Sequence, residues 1–201
     1  EKTVLFGSVT DPYNPLEKRY ETTRDILTRL KEQNTGANIE ILTKSPLVLR
    51  DLDILKTFPN IRVGISLSTM DERFARLSEV HAATPQARIQ TVKTLHDNGI
   101  PVYVFISPIF PYLSDWKSVA SAILDIADNV CFENLNLRAN YKKDVLELVR
   151  KEYPEIYPEF SALYADKKKL RKYWEEMTCE IEDFMKDRTH TIYFFHEEIK
   201  K

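Results

Sequence analysis

The sequence predicts an α/β fold with a parallel sheet arranged as part of a barrel, and three observations predict it. Short β-branched runs alternate with longer amphipathic stretches at intervals of roughly 30 residues, the rhythm of strand–helix–strand units with right-handed crossovers. With glycine only at positions 7, 36, 64 and 99, no strand is followed by a GxGxxG turn, which disfavours an open dinucleotide-binding sheet. The 201 residues also fall short of the roughly 250 of a complete eightfold barrel, so five or six units make an incomplete one.

The elements follow in order. Thr3–Val9 reads as a strand, and a helix begins near Pro15 with Asn14 as its N-cap. That helix carries Ile26, Leu27 and Leu30 on one side and stops before Gly36. Ile39–Thr43 is the second strand, and Ser45-Pro46 starts a helix through Val48, Leu52 and Leu55. Ile61–Ser68 is a third strand. Thr84-Pro85 opens a capped helix buried through Ile89, Val92 and Leu95 and closed by Gly99. Pro101–Ile106 is the fourth strand, with proline tolerated at its first position. Ser114-Asp115 caps a helix to about Asp128, and Asn129–Leu137 is the fifth strand.

The last third changes character, and the chain divides into a barrel core over residues 1–140 and a helical extension packed on it over residues 141–201. The extension opens with an aromatic, proline-punctuated stretch, Tyr153-Pro154, Tyr157-Pro158, Phe160 and Tyr164. A long helix from about Asp166 to Lys186 then carries the stripe Leu170, Trp174, Met177, Ile181 and Phe184. Thr191–Phe195 reads as a short extra strand or a docked tail. The cluster Lys167–Lys169 with Arg171 and Lys172 reads as a solvated helix face.

Composition narrows the function. Hydrophobic residues at 43% and charged residues at 30% describe an ordinary globular domain and exclude a disordered or fibrous one. The net charge of −2 gives no support to a broad nucleic-acid footprint. Two cysteines, Cys131 and Cys179, are too few for a disulfide scaffold, a thiolate zinc site or a complete Cys-ligated iron–sulfur cluster. No apolar run approaches the ~20 residues of a membrane helix and no signal pattern opens the chain, so a cytoplasmic protein without membrane attachment is expected. The chain opens at Glu1 and by Val4 is already in an apolar run; it reads as starting within an architecture, with an upstream segment and a first strand expected before it.

In parallel α/β folds the reactive site lies at the carboxyl ends of the strands. Those ends carry Ser8, Thr10 and Asp11, then Thr43-Lys44-Ser45, then Ser66-Leu67-Ser68-Thr69, then Ser107-Pro108, and finally Glu133, Asn134, Asn136 and Arg138. Turn-forming Ser, Thr and Asp are common at such ends, but a lysine directly after Ile-Leu-Thr is not explained by turns. The set offers an acid for an amine, a lysine for a carboxylate and hydroxyls for a sugar, the complements of an amino-acid–nucleoside ligand. Other chemistries lack their residues. The histidines at 81, 96, 190 and 196 show no HExxH or His-x-His spacing. His196-Glu197-Glu198 reads as a solvated tail, and no Gly-x-Ser-x-Gly elbow exists. Cys131 reads as a buried strand thiol and Cys179 as helix packing.

The run Gly7-Ser8-Val9-Thr10-Asp11-Pro12-Tyr13-Asn14-Pro15 followed by Glu17 resembles the second-strand motif of radical S-adenosylmethionine proteins akin to spore photoproduct lyase. The resemblance continues through Thr43-Lys44-Ser45, Leu49-Arg50-Asp51-Leu52, Ile65–Thr69, Pro85 with Arg88, Gly99–Val102, and Ser107–Pro111 with Ser114-Asp115, covering residues 3–138. It implies a partial (β/α)6 TIM-like barrel, six units if one strand precedes Glu1. It also implies a lyase-like radical enzyme whose 4Fe-4S cluster is held by a CxxxCxxC loop, here expected upstream. S-adenosylmethionine would chelate that cluster, and a donor such as flavodoxin or ferredoxin would reduce it. Cleavage would yield a 5′-deoxyadenosyl radical that abstracts hydrogen from a substrate, with nucleic-acid repair or modification as one class. By the resemblance Thr10 and Asp11 lie near the methionine amine and Lys44 near its carboxylate. Ser66 and Ser68 face the ribose or carboxylate, Arg88 is a further carboxylate candidate, and Pro108 with Ile109 flanks the adenine. These are cofactor-binding expectations; no catalytic residue and no metal ligand within the chain is assigned. Glu79-Val80-His81-Ala82 departs from the Glu-Pro-x-Ala of such proteins and leaves Glu79 without a role. Lacking the cysteine loop, the chain as it stands is expected to be inactive and to bind S-adenosylmethionine weakly. Two other classes stay open: a cluster-free barrel enzyme using Lys44 or Glu133 with Asp11 on a small metabolite, and a non-catalytic binding scaffold.

Overall fold

The computed structural model describes residues 2–34, 36–137 and 141–195. Arg138 and the His196-Glu197-Glu198 tail lie outside the described residues. Six strands form one parallel sheet: β1 (Thr3–Phe6), β2 (Asn38–Thr43), β3 (Ile61–Ser66), β4 (Val102–Ile109), β5 (Asn129–Asn134) and β6 (His190–Ile192). Their spatial order is their chain order, β1 to β6. That order decides between the two α/β arrangements, because a doubly wound sheet reverses direction at a switch point and a barrel does not. Among the described residues β1 and β6 pair only with β2 and β5, so the barrel is open on one side.

The strand period sorts side chains onto two faces. Ile39 and Ile41, Val63 and Ile65, Val102 and Val104, and Val130 and Phe132 are buried at 0–2% exposure and belong to the main core, the face the helices cover. The intervening residues line the concave face, where Leu42, Phe105, Cys131, Glu133, Thr191 and Tyr193 border a cavity of about 260 Å3. At the other end of that face the Tyr103 hydroxyl donates to Glu40 Oε1 at 2.9 Å, and Arg62 donates to Glu40 Oε2 at 2.7 Å while lying over the Tyr103 ring. Gly64 is required beneath that ring, since a Cβ there would sit 2.2 Å from Tyr103 Cζ.

The helices are α1 (Glu17–Tyr20), α2 (Thr22–Glu32), α3 (Leu52–Leu55), α4 (Glu72–Ser78), α5 (Pro85–Asp97), α6 (Trp116–Ile123), α7 (Tyr141–Glu152), α8 (Tyr157–Ala165) and α9 (Lys167–Met185). The caps follow the sequence where a side chain could be identified for the task. Thr84 accepts from the Ala87 N–H, Asp115 from that of Ser118, and Asp166 from those of Lys168 and Lys169. The structure departs from the expected boundaries in several places. β1 stops at Phe6 because Gly7 turns the chain at φ +100°. The helix expected at Pro15 is broken at Glu21, whose φ is 48°; Asn14 instead receives the Leu16 N–H at 3.0 Å. The Ser45-Pro46 helix begins as a 3-10 turn over Pro46–Asp51. The fourth strand begins after Pro101, and the third and fifth end at Ser66 and Asn134. α6 ends at Ile123, five residues before the expected Asp128, and α4, α7 and α8 were not evident as helices at all.

Residues 141–195 do more than lie on the barrel. Trp174, Ile181 and Met185 of α9 join the main core, with Met185 buried where Phe184 was expected and Phe184 exposed. The Thr191–Phe195 segment supplies β6, parallel to β5 through Val130↔His190 to Phe132↔Ile192. A second cluster, including Phe74, Phe110, Leu135, Val149, Tyr153 and Phe160, joins α4, α7 and α8 at the carboxyl end of the sheet.

Candidate functional site

The loop leaving β1 is tied to the end of β2 through one carboxylate. Asp11 Oδ1 accepts the Tyr13 N–H at 2.9 Å and the Thr43 hydroxyl at 2.6 Å, and Oδ2 accepts the Lys44 N–H at 2.9 Å. Gly7 makes the close approach possible, since a Cβ there would lie 2.1 Å from the Leu42 carbonyl oxygen. Asp11 therefore fixes where Lys44 leaves the sheet, and a carboxylate with three donors still has lone-pair capacity for a fourth.

Behind this loop lies a buried ionic network built from the residues of the Arg50-Asp51 motif. Asp51 is fully buried and accepts Arg50 Nε and Arg24 Nη1 on Oδ1, at 2.7 and 2.8 Å, and Arg50 Nη2 and the Tyr13 hydroxyl on Oδ2, at 2.9 and 3.1 Å. Arg50 also donates to Glu17 Oε1 at 2.9 Å, and Glu17 in turn accepts the Thr23 N–H that opens α2. Burial alone would raise the Asp51 carboxyl, but the hydrogen bonds from Arg50 and then Arg24 hold it below the usual range. Burial and the Asp51 charge push the Tyr13 hydroxyl far upward, so it stays a donor.

The opposite wall comes from the segment between α4 and α5. Glu79, at the end of α4, reaches Lys44 Nζ at 3.5 Å with Oε1 and Arg88 Nη2 at 2.6 Å with Oε2. The Arg88 contact is an ion pair by proximity, lying off the hydrogen-bonding direction. Arg88, 2% exposed, further donates through Nε to the Ala83 carbonyl at 2.8 Å and through Nη1 to the Ser66 carbonyl at 3.0 Å. All three of its nitrogens have protein partners, so the guanidinium pins the 79–84 segment to the end of β3. Between these walls runs an open cleft of about 460 Å3, bordered by Asp11, Tyr13, Lys44, Ser45 and His81 among others. The Lys44 side chain is 40% exposed and borders the cleft together with Lys18.

Of the residues named from sequence, the structure brings Asp11 and Lys44 into one cleft and links Arg88 to the Ser66 backbone. Thr10 sits exposed in the β1 loop, while Ser66 and Ser68 are buried at 6% and 2% at the end of β3. Pro108 follows a cis peptide bond, and Ile109 is fully buried in the main core. Glu133 receives the Ser107 hydroxyl at 2.5 Å on the concave face. His81 borders the cleft and Glu79 reaches it through Lys44, and sequence reasoning left both without a role. Their signal was the pairing of an acid at the end of one helix with a basic residue in the next, visible only once the helix boundaries are known.

A parallel sheet in chain order, open on one side, with its polar cleft at the strand ends, defines a partial-barrel protein of the α/β class. Residues 1–121 match the family model of the radical SAM superfamily, and the chain belongs to that superfamily. An uncharacterized protein of Methanocaldococcus jannaschii is 34% identical over 174 residues, 87% of this chain and 64% of that one. One from Mycobacterium bovis is 28% identical over 187 residues, 89% of this chain and 54% of that one. The chain thus spans roughly half to two thirds of the length of these relatives. Among solved structures, Streptococcus suis SuiB bound to S-adenosylmethionine superposes with a TM-score of 0.59 at 16% identity, covering 98% of this chain and 39% of that one. Spore photoproduct lyase complexed with dinucleoside spore photoproduct gives 0.64 at 13% identity, over 96% and 62%. These two likenesses show the fold.

The cleft fits the amino-acid part of S-adenosylmethionine, since a partly exposed ammonium and a carboxylate with spare acceptor capacity border it. The 4Fe-4S cluster does not fit the described residues. Cys131 is buried on the concave face, where burial pushes its thiol up, and Cys179 is exposed on α9. Among the described residues no group of three or more His, Cys, Asp or Glu is placed to hold a metal ion. Also among the described residues, no helix is long and apolar enough to cross a membrane.

Proposed function

We propose that this chain is the cofactor-binding core of a radical S-adenosylmethionine enzyme that abstracts hydrogen from its substrate, with nucleic-acid repair or modification as one candidate class. The observation that carries the reading is Lys44, held over the strand-end cleft by Glu79 at 3.5 Å and aligned by Asp11 through its backbone N–H. When bound with a reduced cluster, S-adenosylmethionine supplies a 5′-deoxyadenosyl radical. Lys44 would neutralise the methionine carboxylate as a point charge, and the free lone pair of Asp11, with Thr10 beside it, would accept from the amine. Ser66 and Ser68 would supply hydroxyls toward the ribose, and Pro108 would wall the adenine side on the strand end that Ile109 anchors in the core. Arg88 acts as a positioning residue that holds the β3 end and Glu79, because it is 2% exposed and donates to the Ser66 and Ala83 carbonyls. A cluster serving this site would draw its ligands from outside the described residues, and its reduction calls for a low-potential donor such as flavodoxin or ferredoxin. The expected setting is the cytoplasm, whose reductants such cleavage needs. The acid–base alternative loses ground because Asp11 is engaged in holding the loop.

Calorimetric titration of the full-length protein with S-adenosylmethionine tests the reading. Lys44→Ala should weaken binding by roughly tenfold or more, the worth of a charged hydrogen bond. Unchanged affinity would remove Lys44 from the site. Anaerobic reduction of the reconstituted protein should release 5′-deoxyadenosine, and its absence with an intact cluster would overturn the reaction class.

A further inference from the structure

A second pocket lies at the same end of the sheet, where α9 passes the exits of β5 and β6, and the cofactor reading makes no use of it. Its volume is about 390 Å3, within the range of small-ligand sites. Three cations border it: Lys142 of α7, and Lys167 and Arg171 from successive turns of α9. Among the described residues Lys142 makes a long contact, 3.4 Å, to the Tyr164 carbonyl, Arg171 is shared with Glu175 at 2.8 Å, and Lys167 has no ion pair. Asp166 faces the same turn, but its carboxylate caps α9. The basic cluster that reads from sequence as a solvated face is thus partly the wall of a cavity.

The rest of the wall is aromatic. Trp174 and Phe194 pack with ring centroids 5.0 Å apart, and Phe195 is 49% exposed with the Arg171 guanidinium 5.9 Å from its ring centre. Two polar atoms at this wall have no partner among the described residues, the indole N–H of Trp174, a residue only 2% exposed, and Asn134 Oδ1. Such atoms are rare in folded proteins, because each costs about as much as a lost hydrogen bond. A ligand for this pocket therefore carries negative charge for the three cations, a flat ring for Phe195, and both a donor and an acceptor. A phosphate alone lacks the ring, and an acidic side chain lacks the paired donor and acceptor.

We propose that this pocket binds a nucleotide, its phosphate against Lys142, Lys167 and Arg171, its base against the Phe195 ring with one edge toward the Trp174 N–H. A free nucleotide and one residue of a single strand present the same chemistry, which combines stacking with phosphate neutralisation. The proposal deepens the nucleic-acid part of the function proposed above, and its binding test needs neither cluster nor S-adenosylmethionine.

The test is calorimetric titration of the full-length protein with adenosine monophosphate, a short single-stranded oligonucleotide, inorganic phosphate and an acidic peptide. Saturable binding of the nucleotide or the strand is expected, with inorganic phosphate and the peptide roughly tenfold weaker or worse. Binding of both nucleic-acid probes assigns a free nucleotide, and binding of the strand alone assigns a polymer. Lys167→Glu/Arg171→Glu should reduce that affinity by roughly tenfold or more while the melting temperature and S-adenosylmethionine affinity stay unchanged. Trp174→Phe, which keeps the ring and removes the N–H, should weaken binding further than it shifts the melt. No nucleotide or strand binding at millimolar concentration, binding indifferent to the double charge reversal, or preference for the peptide would each overturn the proposal. Loss of the radical chemistry with nucleotide binding intact would instead overturn only the proposed reaction.

Discussion

Single carboxylates carry much of the organisation around the cleft, and Asp51 shows how. It is fully buried with Arg50, Arg24 and Tyr13 all donating to it, so removing its charge takes the shared central carboxylate from two guanidinium groups and leaves Arg50 to Glu17 and Arg24 to Asp53. Asp51→Asn should cost about 3 kcal/mol, the lower end for breaking a buried pair, read as a shifted urea midpoint at neutral pH. The pH dependence follows from the lowered carboxyl. A group whose folded pKa lies below its unfolded one contributes fully above the ordinary value of 3.8. It loses that contribution as pH falls through the folded pKa. The gap between wild type and Asp51→Asn should therefore shrink as the urea midpoints are followed from about pH 6 to about pH 3. A gap constant with pH would mean that the network, not the Asp51 charge, sets the stability.

At the scale of elements, two glycines govern how closely the strands approach one another. Gly7 faces the Leu42 backbone at a Cβ distance of 2.1 Å with φ +100°, whereas Gly64 faces the tip of the Tyr103 ring at 2.2 Å with an ordinary φ. A side-chain tip can move and a strand carbonyl cannot, although Tyr103 would have to leave Glu40 to do so. Gly64→Ala should thus cost about 1–3 kcal/mol as an overpacked site, and Gly7→Ala more, since left-handed strain adds to the clash. Chemical denaturation of both variants checks the order, and equal losses would show that the Tyr103–Glu40 contact is as rigid as backbone. The resemblance motifs divide at this scale as well. Glu17, Arg50 and Asp51 prove to brace the β1 loop from behind, while Asp11, Tyr13, Asn14, Pro15, Lys44 and Ser45 border the cleft.

For the whole molecule, the question is how independent the last third is. Trp174, Ile181, Met185 and Phe194 sit in the main core, and β6 covers the edge of β5. A chain ending at residue 140 would expose that apolar surface and the open strand edge together, a combination that favours aggregation. Expression of residues 1–140 should give insoluble or molten protein by near-ultraviolet circular dichroism, while residues 1–195 give a cooperative melt. A native-like, soluble 1–140 fragment would establish the barrel core as a unit and the remainder as an extension.

By itself the sequence determined the parallel α/β rhythm, because strand and helix periods are local properties, and it marked Lys44 because a charge directly after an apolar strand is a local anomaly. It also determined the capped helix starts at Thr84 and Asp115, where one side chain can satisfy exposed N–H groups, and the approximate start of α9 at Asp166. Tertiary structure alone decided what depends on distant partners. Glu79 meets Lys44 and Arg88 only through packing across two helices and two strand ends. β6 was ambiguous because three residues acquire strand character only when β5 offers its edge. The basic cluster on α9 is solvated, as its sequence suggests, and two of its members, Lys167 and Arg171, also border a pocket that forms only where Phe194 and Phe195 fold back beside them. Periodicity is written in neighbours along the chain, whereas a binding site is written in neighbours through space.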